Sequence, residues 1–311
     1  MGVYMKMELR LCNIEKLDTW LNSEFDIISI GDEYCPWKLL SIENVKGVVE
    51  KIIASGKELI IVTSFVASAA FEKIINIIKD AKAVSDKIKY VINDYGLLVY
   101  LKDNKILSKN IIVGQMLNHS LEEYLWSEDV VKEETKKVKN NWLMSNYSSS
   151  RVIDFFMREF NIEGVIFNKL PYNQEGARIA KRCGCSIYFM DKYYTMAVAR
   201  KCHAAKYNNL CPGHGCDKLC NKPLLGSLEK IYTIDNMSQK FVIPTEDVLE
   251  KTKNWIIFGN AVYKEYPYPL ILKYSDYTDD MVIIMSQKYY DNDIEINMVV
   301  SSYKEGGIIC N

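Results

Sequence analysis

The stretch FDIISIGDEYCPWKLLSIENVKGVVEKIIASGKELIIVT, residues 25–63, sets the architecture. Phe25 to Gly31 is an apolar run that ends in glycine, the pattern of a strand buried on both faces. Ile42, Val45, Val48, Val49 and Ile52 then recur at the spacing of one helix face, which predicts a helix over 41–54. Glu58 to Thr63 is a second apolar run. Strand, helix and strand in so short a span make a βαβ unit, whose two strands run parallel.

The same beat continues outward. A second helix is expected over 68–80, a third strand over 88–92 closed by Asn93-Asp94-Tyr95-Gly96, and a fourth over 111–113 closed by Gly114-Gln115. Residues 119–140 are polar, with Glu133-Glu134-Thr135-Lys136-Lys137 among them, and read as a solvated helix or an ordered insertion. Trp142-Leu143-Met144 reads as a short strand. A helix over 151–160, with caps on offer from Ser148, Ser149 and Ser150, is followed by a strand at 164–167, a helix at 174–182 and a strand at 186–189. Roughly seven strands alternating with helices predict an α/β fold, a (β/α) TIM-like barrel, closed or nearly closed, with a small mixed C-terminal extension. An open doubly wound sheet is the alternative, weakened because no G-x-G-x-x-G follows the first strand. The expected division is 1–225 for the barrel with a cysteine cluster and 226–311 for the extension. The latter holds apolar bursts at 240–243, 255–258, 281–284 and 298–300.

Lysine and arginine number 39 and aspartate and glutamate 40 in 311 residues, a formal net charge of -1. That balance argues against a nucleic-acid partner held by a strong basic field. No apolar run reaches ~18 residues, so no membrane span is expected. The N-terminal stretch MGVYMKMELRLC does not read as a secretory signal, and the nine cysteines are too sparse for a disulfide framework. A cytoplasmic protein with reduced thiols is the expectation.

Cys202, Cys211, Cys216 and Cys220 crowd with His203 and His214 into residues 202–220. The segment is otherwise polar and offers little core for buried thiols, so a metal is the expected reason for the cluster. Zinc would take Cys211, Cys216, Cys220 and either Cys202 or a histidine, although the C-x₄-C and C-x₃-C spacings overlap instead of forming two pairs. An iron–sulfur cluster tolerates one distant ligand beside a local group. The spacing leaves the two open. Cys35 lies just past the first predicted strand and Cys202 just past the last, and in a barrel those ends share one face. Cys183 and Cys185 flank Gly184 in a helix-to-strand turn and read as structural.

Several landmarks together resemble a known family. Gly31 is followed shortly by Cys35; Asn93-Asp94-Tyr95-Gly96-Leu97-Leu98 and Ile112-Val113-Gly114-Gln115-Met116-Leu117-Asn118 follow later strands; Arg200-Lys201-Cys202-His203-Ala204-Ala205-Lys206 precedes a Cys216-x-x-x-Cys220 pair. The set is similar to the collagenase-like peptidase family, U32, and within it to the short members that assist anaerobic ubiquinone biosynthesis. The resemblance covers most of residues 25–225. It implies a [4Fe-4S] cluster on Cys35, Cys202, Cys216 and Cys220, leaving Cys211 as an extra thiol. It also implies oxygen-independent hydroxylation or related redox tailoring of a small molecule or peptide. An electron-relay or stabilising partner of a second family member is one alternative, and a zinc-stabilised hydrolase or binding protein is another. Pro36-Trp37-Lys38 stands where the family more usually has basic residues, and His203 is uncommon beside the cluster. Neither H-E-x-x-H nor G-x-S-x-G is present, so no ordinary protease is expected.

Four residues at the expected barrel mouth are candidates for chemistry. Asp94 is either a turn residue or a substrate contact. His119 is either a helix-start residue or an acid–base group. Arg200 either clamps a carboxylate, with help from Lys38, or serves the cluster or a structural salt bridge. His203 sits beside the cysteines. A carboxylate-bearing substrate and a hetero-partner from the same family are the implied binding partners.

Overall fold

The computed structural model describes residues 5–11, 13–124, 127–199, 202, 203, 205, 224–226, 255–266, 281–290 and 293–304. The strands in chain order are β1 (Lys6–Leu11), β2 (Ile27–Gly31), β3 (Glu58–Val62), β4 (Lys89–Ile92), β5 (Ile111–Val113), β6 (Ile162–Phe167), β7 (Ser186–Met190), β8 (Tyr193–Val198), β9 (Leu224–Gly226), β10 (Trp255–Phe258), β11 (Ala261–Glu265) and β12 (Met281–Ser286). Eight of them close a parallel barrel in the order β1-β12-β7-β6-β5-β4-β3-β2, with β2 back against β1. This is a closed (β/α)₈ barrel, and it excludes the open doubly wound sheet. The helices are α1 (Leu17–Leu21), α2 (Pro36–Leu40), α3 (Val45–Ala54), α4 (Ser68–Val84), α5 (Tyr95–Asp103), α6 (Ser127–Val130), α7 (Lys136–Leu143), α8 (Ser150–Phe160), α9 (Pro171–Arg182) and α10 (Asp293–Lys304).

Most barrel strands are apolar on both faces because each face meets a different core. Leu9, Ile28, Ile61, Ile92, Val165 and Phe189 belong to the layer shared with the helices. Ile27, Ile60, Val91, Ile112, Ile166 and Tyr188 belong to the barrel interior. The two sets alternate along the strands, as the pleat requires.

One sector of the interior is polar. Glu8 and Arg10 of β1 are 0% and 2% exposed and lie beside Ser29 of β2; Arg10 also registers with Ser286 of β12. Arg10 donates to Glu8 Oε1 at 3.0 Å and pairs with Glu33 just beyond β2, while Ser29 Oγ donates to Glu8 Oε1 at 2.6 Å. Burial works against the Arg10 charge, yet the two carboxylates overcome it and hold the guanidinium above its ordinary pKa.

Three expectations are corrected here. Residues 142–144 do not form a strand: 142 and 143 end α7, whose first turn is capped by the Thr135 side chain accepting from Val138 N–H at 3.4 Å. Trp142 is exposed and Leu143 buried, so this short apolar run is the end of a helix that turns one face to the core. The strand before Cys202, β8, is not a barrel strand. It pairs antiparallel with β11 in a four-stranded sheet, β8-β11-β10-β9. The barrel is instead closed by β12, so its strands come from both sides of residue 225, and the placing of Cys202 past a final barrel strand does not hold.

The small sheet stands over the C-terminal mouth. Tyr193, Phe258, Ala261 and Tyr263 pack with Tyr34, Met190 and Tyr289 onto the interior residues Val62 and Ile284. Gly31 makes the first turn of this mouth possible. Its φ is +101°, and a Cβ there would sit 2.1 Å from the carbonyl oxygen of Val62.

Removing the Arg10 guanidinium leaves Glu8 and Glu33 buried without it. Arg10→Met is expected to destabilise the fold by about 3–5 kcal/mol. Chemical denaturation of the variant beside the parent measures this, and a loss under about 1 kcal/mol would show that the network is not a stability determinant.

Candidate functional site

The loops after the barrel strands build two unlike halves of the mouth. In one half the chain fills its own space. Lys288, beyond β12, pairs with Asp32 Oδ2 at 2.7 Å and donates to Tyr263 OH at 2.8 Å. Its ammonium lies 4.9, 5.3 and 5.6 Å from the ring centres of Tyr263, Tyr289 and Tyr34. Burial would raise the Asp32 carboxyl, but Lys288 chiefly, with the Tyr34 N–H and Lys38, holds it below its usual range. Lys169, beyond β6, pairs with Asp191, beyond β7, and Asp191 also accepts from Tyr290 OH at 2.7 Å and Tyr303 OH at 2.6 Å. Tyr34 OH bonds Gln115 and accepts from Thr195 Oγ1 at 2.6 Å, and Asn260 Nδ2 bridges the carbonyls of Tyr34 and Ala199 at 2.7 and 2.9 Å. These ties fasten the small sheet to the barrel.

The other half is more open. Cys35, Val66, Asp94, Met116 and His119, in the loops after β2 to β5, are all half-buried. Within this sector His119 has the arrangement of a working imidazole. Its Nδ1 lies 2.6 Å from Glu123 Oε2, and Glu123 Oε1 accepts from Asn168 Nδ2 at 2.6 Å. The carboxylate is 5% exposed and the imidazole 30% exposed at the side chain. Burial works against the imidazolium, but the Glu123 hydrogen bond and charge, with Glu33 behind them, prevail and raise the His119 pKa. Burial also raises Glu123, against the pull of His119, Asn168 and the Ser120 N–H. The pair therefore keeps its proton to higher pH than a free imidazole would. With Nδ1 committed to the carboxylate, Nε2 is the nitrogen left for a ligand.

The other expected site residues are dispersed. Asp94 is the N-cap of α5: its Oδ1 accepts from Leu97 N–H at 2.9 Å and its Oδ2 from Val66 N–H at 3.1 Å. Those bonds fit its reading as a turn residue. Cys35 is the residue before α2, and its N–H donates to Asp32 Oδ1 at 3.1 Å. Cys202 is half-buried, and its Sγ accepts from Ala205 N–H at 3.4 Å. Neither is in a disulfide, nor are Cys183 and Cys185. Burial pushes the Cys185 thiol up to about 11, as suits an inert packed side chain. His203 is half-buried. Arg200, Cys211, Cys216 and Cys220 lie outside the described residues.

The metal expectation is corrected. Among the described residues no group of three or more His, Cys, Asp or Glu side chains is gathered to hold a metal ion. Cys35 and Cys202 thus have no third ligand there. The [4Fe-4S] cluster, the oxygen-independent hydroxylase, the electron-relay partner and the zinc protein, all inferred from cysteine spacing and the resemblance, are withdrawn. No helix of the described residues is long and apolar enough to cross a membrane.

No family model matches the sequence, and no curated protein matches it. Among solved structures the chain is similar to the U32 peptidase Mk0906, at 11% identity over 92% of this chain and 94% of that one, with a TM-score of 0.44. It is also similar to N-(5'-phosphoribosyl)anthranilate isomerase from Pyrococcus furiosus, at 10% identity over 60% of this chain and 76% of that one, with a TM-score of 0.35. A third likeness is to the protein CutC from Streptococcus agalactiae, at 10% identity over 67% of this chain and 93% of that one, with a TM-score of 0.37. These are distant likenesses of fold, and no activity is read from them.

Sequence reasoning singled out His119 but missed Glu123. The signal was present in the spacing His119-x-x-x-Glu123, where the second carboxylate of Glu122-Glu123 returns to the imidazole. Glu123→Gln removes the charge that sustains the imidazolium. The His119 pKa should then fall, and proton NMR titration of the imidazole reads the change. The pair's contribution to stability is present below the ordinary imidazole pKa and lost as pH rises through the folded value, so the variant should lose stability mainly on the acid side.

Proposed function

We propose that this barrel handles a small carboxylate-bearing molecule or peptide at the open sector of its mouth, with His119 as the proton-transferring group. The observation that carries the reading is the chain of 2.6 Å contacts from His119 Nδ1 through Glu123 to Asn168. A carboxylate fixed at one end and bonded to an imidazole at the other orients the ring and selects its tautomer, leaving Nε2 to give or take a proton. Such a group contributes roughly a hundred- to ten-thousand-fold to a proton-transfer step. The raised pKa keeps a larger share of the imidazole cationic near neutrality, which favours an anionic ligand. Lys38, close enough to act on Asp32, adds positive charge at the same rim.

The sequence landmarks at Gly31, Cys35 and Asn93–Leu98 support a shared lineage with the collagenase-like peptidase family at the level of the barrel alone. A protein partner fits the exposed Tyr95, Val99 and Phe155 on the adjoining α5 and α8.

Calorimetric titration of the full chain with simple mono- and dicarboxylates, at about pH 6.5 where a free imidazole is half charged and His119, with its raised pKa, is mostly charged, tests the reading. Binding by the parent with at least a tenfold loss in His119→Gln is the expected result. No binding by the parent, or equal binding by the variant, would overturn it.

A further inference from the structure

Glu122 faces away from the His119 pair and does something different. Its Oε1 accepts from Tyr172 N–H at 3.0 Å, and its Oε2 accepts from Asn173 N–H at 3.0 Å and from Asn173 Nδ2 at 3.1 Å. These are the first free amides of α9. The helix needs this outside acceptor, because its N-cap is Leu170, which has no side-chain oxygen, and its first residue is Pro171. A carboxylate at this end also meets the positive pole of the helix. Asn173 itself is fully buried and donates from Nδ2 to Ser120 Oγ at 2.6 Å, so the helix start and the turn Leu121–Glu123 hold each other from both sides.

We infer that Glu122 is the positioning residue of the His119 site: by gripping the N-terminus of α9 it fixes the turn from which Glu123 reaches His119. The inference rests on the reading of His119 as the working group and adds the means by which that group is regulated. Two neighbouring carboxylates divide the labour. Glu122 anchors the turn to a rigid helix, and Glu123 spends that rigidity on the imidazole. Any change in the grip of Glu122 moves Glu123 relative to His119, because the two carboxylates are carried by adjacent residues of one turn.

The grip is itself sensitive to pH. Burial pushes the Glu122 carboxyl up to about 7, against the pull of the α9 donors, and the charge of Glu123 adds to the rise. Among the described residues no lysine or arginine pairs with Glu122, and the charged group acting on it is Glu123. On the far side, Glu123 faces His119, Asn168 and Tyr266, and His119 also faces Glu33. Glu122 therefore gains and loses its proton near neutrality, above the usual carboxyl range, and the His119 pKa is raised as well. As pH rises, ionisation tightens the hold on the helix and adds negative charge beside the pair, both of which favour the imidazolium. The site accordingly resists deprotonation more than an isolated His–Glu pair.

The experiment is an imidazole NMR titration of the full chain. There are three histidines in the sequence, and His119→Gln identifies the His119 resonance by its loss. Two substitutions separate position from charge. Glu122→Gln keeps the length and removes the charge, while Glu122→Asp keeps the charge and shortens the reach to α9. Both should lower the His119 midpoint by about half a pH unit or more, a threefold fall in proton affinity. Glu175→Gln, on the exposed side of the same helix, should leave it in place. An unchanged midpoint in Glu122→Asp would reduce Glu122 to a distant charge and overturn the positioning role. Unchanged midpoints in both would leave it a helix cap alone. The titration needs no substrate, so normal coupling in a chain that binds no carboxylate would defeat the proposed function and spare this inference.

Discussion

The pairing of Arg10 with Glu8 and Glu33 is the constraint from which the rest of the mouth is built. Inside a barrel a buried charge needs a partner within the wall, and a polar atom left without one, as Glu8 Oε2 is among the described residues, is costly. Arg10 meets that requirement by reaching from β1 to the loop beyond β2. Glu33 then accepts from Gln115 N–H at 2.6 Å, which brings in the loop beyond β5. Gln115 is held in turn by Tyr34. One guanidinium thus ties β1 to the loops beyond β2 and β5, and His119 lies four residues past Gln115 in the second of them.

That chain of contacts also explains the unequal halves of the mouth. Where the small sheet lies over the barrel, tyrosines and Lys288 occupy the volume that the loops of other barrels leave for ligands. Buried aromatic packing and paired charges hold this cover as part of the core. The loops after β2 to β5 are tied to the small sheet at Tyr34 and Gln115 but also carry the half-buried Cys35, Val66, Asp94, Met116 and His119, and the His119–Glu123 pair lies in this sector.

How much of this was legible in the sequence depended on how polar each element was. Strands β2 to β4 are short, mostly apolar runs, β2 closed by Gly31 and β4 by Asn93-Asp94, and they stand out. β1 did not, because Glu8 and Arg10 alternate with Met7, Leu9 and Leu11 and make a barrel strand look like an exposed segment. β12 was visible as an apolar burst, yet nothing local tells a strand that it will insert between the first and the seventh. Sheet order is a property of the closed wall. The site divided in the same way. His119 was found by its chemistry, whereas Glu123 was missed because the turn that carries it lies in a stretch that reads only as polar. The cysteine spacing misled for a related reason: thiols close in sequence declare a preference for metal, but a ligand set is a fact about three dimensions.

The pairing of Lys6 with Val282 has a meaning for the life of the chain before it is complete. The first strand emerges from the ribosome and then waits, at translation rates of roughly 5–20 residues per second, for its neighbour to be made. Until then β1 and β7 are the two raw edges of an unfinished sheet, each with a row of unpaired amides and carbonyls. β1 carries Glu8 and Arg10 at that edge, and buried charge is a poor invitation to a stray strand. The same residues that knit the interior thus make β1 a poor template for a stray strand until residues 281–286 pair with both edges.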